Sequence, residues 1–144
     1  MSNNVVVIEE TFNAPLEKVW KALTENDQMK QWYFKLEDFK AEKGFRFSFS
    51  GKGKKGEQYI HLCEVTIAEP PTKLQYSWQY KDYEGYSTVT FELFEQGAQT
   101  LLKLTHEGLE SFPEHPDFAR DSFKGGWTHL MTISLKQFLD PSSN

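Results

Sequence analysis

The chain has 144 residues, with 16 Lys and Arg against 21 Asp and Glu, for a formal net charge of -5. That length suits one domain, taken as residues 1–144, with a core that needs no disulfide and no structural metal, and the acidic balance opposes nonspecific binding to nucleic acid or to an anionic membrane. Cys63 is the single cysteine, no apolar run approaches the roughly 18 residues of a membrane span, and Met1-Ser2-Asn3-Asn4 carries no signal-peptide pattern, so a soluble cytoplasmic protein is expected.

Hydrophobic residues make up 38% of the chain and aromatic ones 15%: 12 Phe, 4 Trp and 6 Tyr. The core therefore leans on rings rather than on Leu, Ile and Val. Rings bury much area each but leave irregular gaps, so a shell of aromatics around a cavity is one natural use of this composition.

Residues 5–12 are β-branched and apolar and predict a strand. Asn13-Ala14-Pro15 then predicts a helix start, with Asn13 or Ala14 as cap and Pro15 in the first turn. Leu16, Val19, Trp20 and Leu23 share one helical face. Thr24 or Asn26 reads as a second cap, before a short helix carrying Met29 and Trp32. From about residue 36 to 106 the period changes to two. Phe45, Phe47 and Phe49 alternate with polar residues, and Tyr59, His61, Cys63, Val65 and Ile67 share a phase. So do Leu74, Tyr76, Trp78 and Tyr80, then Val89, Phe91 and Leu93, then Leu102, Leu104 and His106. One dry and one wet face mark an antiparallel sheet, and the short Gly- and Pro-containing breaks predict a meander. Residues 121 to about 139 predict one long helix, with Phe123, Trp127, Leu130, Met131, Ser134 and Phe138 on one arc. Gly125 and Gly126 lie early in it, where they permit close packing or delay its start.

The order is β-αα-β6-α, an α+β fold in which a curved antiparallel sheet of about seven strands wraps a long C-terminal helix. The pieces Phe12-Asn13-Ala14-Pro15 through Leu23, Pro70-Pro71-Thr72-Lys73-Leu74 through Trp78, Leu102 through Gly108, and Gly126-Trp127 resemble, in order, the START-like helix-grip (SRPBCC) superfamily. Within it the chain is most similar to the domain related to the activator of the 90-kDa heat-shock-protein ATPase. The resemblance implies a helix-grip fold. It also implies one of the roles known in that superfamily: cochaperone domain, carrier of hydrophobes, or aromatic polyketide cyclase.

The candidate chemistry is thin. Gly51-Lys52-Gly53-Lys54-Lys55-Gly56 lacks the ending of a phosphate loop and reads as a hairpin tip whose lysines suit an acidic partner. None of His61, His106, His115 and His129 pairs at metal-ligand spacing, so no metal and no cofactor is expected. His115-Pro116-Asp117 reads as a solvated loop pair, and His129 as a residue of the polar helix side. His61 and His106 share phase with apolar strand positions, and Glu10 with Ile8 and Phe12, which makes these three the acid–base candidates. For each, the ordinary reading is a hydrogen-bonded core histidine or a strand-edge glutamate, and Ser134 offers either a ligand a hydroxyl or its own helix a back-bond.

The leading expectation is a binding module for an apolar or aromatic small molecule. Its cavity walls are taken to be Trp20, Phe47, Tyr59, His61, Tyr76, Trp78, Phe91, Trp127, Met131, Ser134 and Phe138. The alternatives are a chaperone-associated stress-response protein that works through its surface, and a cyclase or hydrolase that uses His61, His106 or Glu10. His61 is the histidine expected at the cavity, and His106 the one satisfied by solvent or a loop.

Overall fold

The computed structural model describes residues 5–33, 36, 38–52 and 55–139. Strand β1 (Val6–Phe12) leads into helices α1 (Leu16–Thr24) and α2 (Asn26–Trp32), and five further strands follow: β2 (Arg46–Lys52), β3 (Gln58–Glu69), β4 (Lys73–Tyr80), β5 (Ser87–Gln96) and β6 (Gln99–Glu107). The six strands form one antiparallel, curved sheet in the order β1-β6-β5-β4-β3-β2. The last five are therefore a meander, and β1 closes against β6 with Ile8 opposite Leu104. Helices α1 and α2 carry the chain from one sheet edge to the other.

The expected seventh strand is absent among the described residues. Leu36 and Phe39 are buried, but three residues apart, a spacing that no strand places on one face. Phe39 instead packs edge-on against Phe47, 5.1 Å between ring centres. The caps also differ from expectation. Pro15 is the N-cap of α1 and Glu25 that of α2, neither with a capping side-chain bond, while the carbonyl of Pro15 accepts from the amides of Lys18 and Val19.

The long C-terminal helix is continuous but not uniform. Helix α3 (Arg120–His129) passes into a π-helical stretch (Leu130–Leu135) and ends as α4 (Lys136–Leu139). Its buried residues are Phe123, Trp127, Met131, Leu135 and Leu139, one in every four. In a regular α-helix such a row drifts by about 40° per step, and the wider π turns absorb the excess. This is why Leu135 and Leu139 face inward where regular periodicity had assigned Ser134 and Phe138. Gly125 and Gly126 do neither thing expected of them: the helix already runs from Arg120, and a Cβ at either would meet nothing within 4 Å.

The C-terminal helix is tied at both ends, to α1 at its C-terminus and to the residue before β1 at its N-terminus. Lys18 donates through Nζ to the carbonyl of Leu139 at 3.3 Å, and Arg120 through Nε to that of Val5 at 3.0 Å. Among the described residues no helix is long and apolar enough to cross a membrane.

Candidate ligand-binding site

Where the first turns of α3 diverge from the concave side of the sheet, a cavity of about 190 Å³ opens. Strands β2, β3 and β4 contribute Gly51, Lys52, Tyr59, His61, Trp78 and Tyr80. The 3-10 turn Pro116–Phe118 adds Asp117 and Phe118, and the helix adds Ser122, Phe123, Gly126, Trp127 and Leu130. The alternation of β3 and β4 is what aims their rings inward, since residues two apart in a strand share a face. Gly126 leaves the helix side of the cavity bare. Gly51 does the same for His61, because a Cβ there would lie 2.9 Å from the His61 Cε1.

His61 is wedged among rings: stacked on Phe49 at 4.4 Å and edge-on to Trp78 at 4.9 Å, with Nδ1 3.3 Å from the carbonyl of Phe49. Burial pushes its pKa down to about 4. It therefore meets a ligand at neutral pH as a neutral imidazole, a hydrogen-bonding group and a weak base. At the rim, Tyr59 donates its hydroxyl to the Asp117 Oδ2 at 2.7 Å. Burial first, and then the Asp117 carboxylate, hold the Tyr59 phenol above its usual pKa, so it stays a donor. Tyr80 accepts the indole N–H of Trp78 at 2.9 Å.

His106 is elsewhere and differently made. It is fully buried, and it is satisfied by a chain of core groups rather than by solvent or a loop. Trp127 Nε1 donates to its Nδ1 at 3.0 Å, its Nε2 lies 2.9 Å from Ser87 Oγ, and Ser87 Oγ donates to the carbonyl of Trp78 at 2.9 Å. With the neutral Nε2–H tautomer both ring nitrogens and the Ser87 hydroxyl proton have partners in that chain. A proton on Nδ1 would break the bond from Trp127, and burial pushes the pKa down to about 3. Glu10 is half-buried and ion-paired to Lys136 at 2.7 Å, at the far end of the helix from the cavity. Neither His106 nor Glu10 reaches the cavity, so of the three acid–base candidates only His61 remains at it.

Of the eleven expected wall residues, Tyr59, His61, Trp78 and Trp127 line the cavity. Trp20, Phe47, Tyr76, Phe91 and Met131 are packed core that does not border it, with Phe47 edge-on to Tyr76 at 5.1 Å. Ser134 and Phe138 are half-buried beside Gln31 and Gln137, in a separate shallow depression. Tyr80, Phe118, Phe123 and Asp117 were missed. Tyr80 and Phe123 carried a visible signal, since each shares phase with residues that were chosen. Asp117 carried none: its burial comes from Tyr59, 58 residues away in the chain.

The reading of His115 and Asp117 as a solvated pair fails for Asp117, whose side chain is only 7% exposed against 41% for His115. Glu57, His115 and Asp117 bring ligand-capable atoms within 4.8 Å of one another. The pattern fits a hydrogen-bonded cluster better than an ion. His115 Nδ1 accepts the Asp117 amide N–H at 3.0 Å, so the ring proton sits on Nε2 and neither nitrogen is left to ligate.

A curved antiparallel sheet gripping a C-terminal helix, with a ring-lined gap between them, defines the START-like helix-grip class. Residues 13–140 match the family model described as activator of Hsp90 ATPase homolog 1-like protein, and the chain belongs to that family. Among solved structures it is similar to MLL2253 of Mesorhizobium loti, with 33% identity, 96% of this chain and 98% of that one covered, and a TM-score of 0.75. BH1534 of Bacillus halodurans is 28% identical over 94% and 96% of the two chains, with a TM-score of 0.73. CV1439 of Chromobacterium violaceum shares the fold at 17% identity, 97% and 99% coverage and a TM-score of 0.80. No curated protein matches the chain.

Proposed function

We propose that this chain is a single-domain binding module that takes a small aromatic or apolar molecule into the gap between sheet and helix. The observation that carries the reading is the cavity of about 190 Å³ bordered by Tyr59, His61, Trp78, Tyr80, Phe118, Phe123 and Trp127. A dry cavity of about 150 Å³ suffices for benzene, so one ring with a short substituent matches this space. Ring walls supply contact area, while His61, Tyr80 and the Tyr59–Asp117 pair supply the few polar groups that orient a ligand. Membership of a family whose fold is built around such a gap supports the same reading. Enzymatic use of the site ranks lower, because burial holds the His61 pKa down to about 4 and leaves it a weak base at neutral pH.

The test is direct, because Trp78 and Trp127 border the cavity and report on occupancy through their fluorescence. A one-ring apolar probe should quench them in a saturable, one-site manner. Gly126→Leu should place a side chain in the open space and weaken that binding by at least about tenfold while the far-UV spectrum stays native. Undiminished binding in the variant would refute this location for the site.

A further inference from the structure

We propose that the molecule taken into this cavity carries a hydrogen-bond acceptor, a carbonyl, nitrile or ring nitrogen, that receives the O–H of Tyr80. The proposal rests on the ligand-binding reading above and narrows it from any small hydrophobe to a neutral, acceptor-bearing ring.

The donors of the cavity wall lead to this assignment. An indole N–H or a phenol O–H has one proton to give. Trp127 gives its proton to His106 Nδ1 at 3.0 Å, and Tyr59 gives its own to Asp117 Oδ2 at 2.7 Å. Trp78 gives its proton to the Tyr80 oxygen at 2.9 Å. Tyr80 thus enters the network as an acceptor, and among the described residues its own proton meets no oxygen or nitrogen. Phe112 and Phe118, with ring centres 5.4 and 4.9 Å from that of Tyr80, offer only their faces, which are weak acceptors.

Three further features make this proton the one a ligand would meet. Tyr80 borders the cavity and is only 7% exposed. Burial holds its phenol above the usual pKa, so the group stays O–H at neutral pH. Accepting from the Trp78 indole polarises the hydroxyl and strengthens it as a donor. The other polar groups at the wall differ in their access to water, since Ser122 is half-buried and Lys52 exposed. A hydrocarbon seated against Tyr80 would remove water from the hydroxyl and leave a buried donor unmet, whereas an acceptor would meet it.

Benzonitrile and ethynylbenzene have nearly the same shape, but only the nitrile ends in a nitrogen that accepts a hydrogen bond. Both are titrated into wild-type protein and into Tyr80→Phe, with the tryptophan fluorescence as readout. The greater hydrophobicity of the hydrocarbon is the same in both proteins, so the quantity compared is the ratio of the two affinities. That ratio should shift against benzonitrile by about tenfold in Tyr80→Phe. A shift of less than about twofold, with both probes bound, would overturn the acceptor assignment and leave the binding-module reading intact. Failure of both probes to bind the wild type would overturn the two together. The infrared band of the nitrile gives a second reading that needs no variant. In benzonitrile bound to wild-type protein it should lie above its position in an aprotic solvent, the direction that hydrogen bonding to the nitrogen produces. A bound band at the aprotic position would overturn the assignment even if Tyr80→Phe failed to fold.

Discussion

The two ends of the helix–sheet contact are built from different residue types, to opposite effect. At the closed end, Met131, Leu135 and Leu139 are at most 2% exposed, and β6 and β5 supply the equally buried Leu102, Leu104 and Phe91. At the open end, rings replace aliphatic side chains, Gly126 and Gly51 withhold theirs, and a cavity remains. The histidines repeat the contrast: His106 is locked into a completed hydrogen-bond chain between Trp127 and Ser87, while His61 borders the space. Branched aliphatic chains interdigitate to native density, but a ring of aromatics around a bare helix face cannot. The closed end is therefore packed through, and the open end keeps the space into which the proposed ligand would fit.

That division can be broken or sharpened by measurement, and acid should give the largest effect. Both imidazoles sit below the ordinary value of about 6.5, at about 4 for His61 and about 3 for His106. As pH falls through 6.5 the unfolded chain takes up protons that the native protein refuses. The stability conferred by the two neutral histidines is thus full above pH 6.5 and is lost on the way down to those lower values. Between pH 6.5 and 5 the loss should total about 3 kcal/mol, read from urea midpoints. His61→Phe, which keeps a ring on Phe49, should roughly halve that slope, and an unchanged slope would mean that His61 is not shielded.

Next in size is the register imposed by the π stretch. Leu135→Ala should cost about 2–5 kcal/mol, as for a buried leucine whose space cannot collapse. Phe138→Ala should cost only about 1 kcal/mol despite its larger side chain, because Phe138 is half-buried. Reversed values in denaturant unfolding would restore the regular helical arc.

Trp127→Phe keeps the ring but removes the donor to His106. It should cost about 1–3 kcal/mol by leaving a buried acceptor unmet. A large loss of binding with unchanged stability would join the two histidine regions that the comparison separates. The smallest effect expected is a gain. Gly125→Ala, in open space on the helix surface, should raise stability by about 0.5–1 kcal/mol in thermal unfolding. A loss would mean that the glycine answers to something other than helix propensity.

How far the sequence carried the reading follows from which interactions are local. Alternation placed Tyr59, His61, Trp78 and Tyr80 on one face of their strands, and the i, i+4 row placed Phe123 and Trp127 on the inner helix face, because both patterns depend only on near neighbours in the chain. The element order, the meander and the family followed from the same kind of information. The missing seventh strand, the inward turn of Leu135 and Leu139 and the burial of Asp117 did not. Each was decided by packing between distant segments: Phe39 against Phe47, a helix underwound to keep one row of side chains on the sheet, and a carboxylate drawn under Tyr59. The same holds for the cavity. The number of rings made a gap reasonable, but its position at the α3 end reflects where the helix leaves the curved sheet, a property of two surfaces meeting that no stretch of sequence contains.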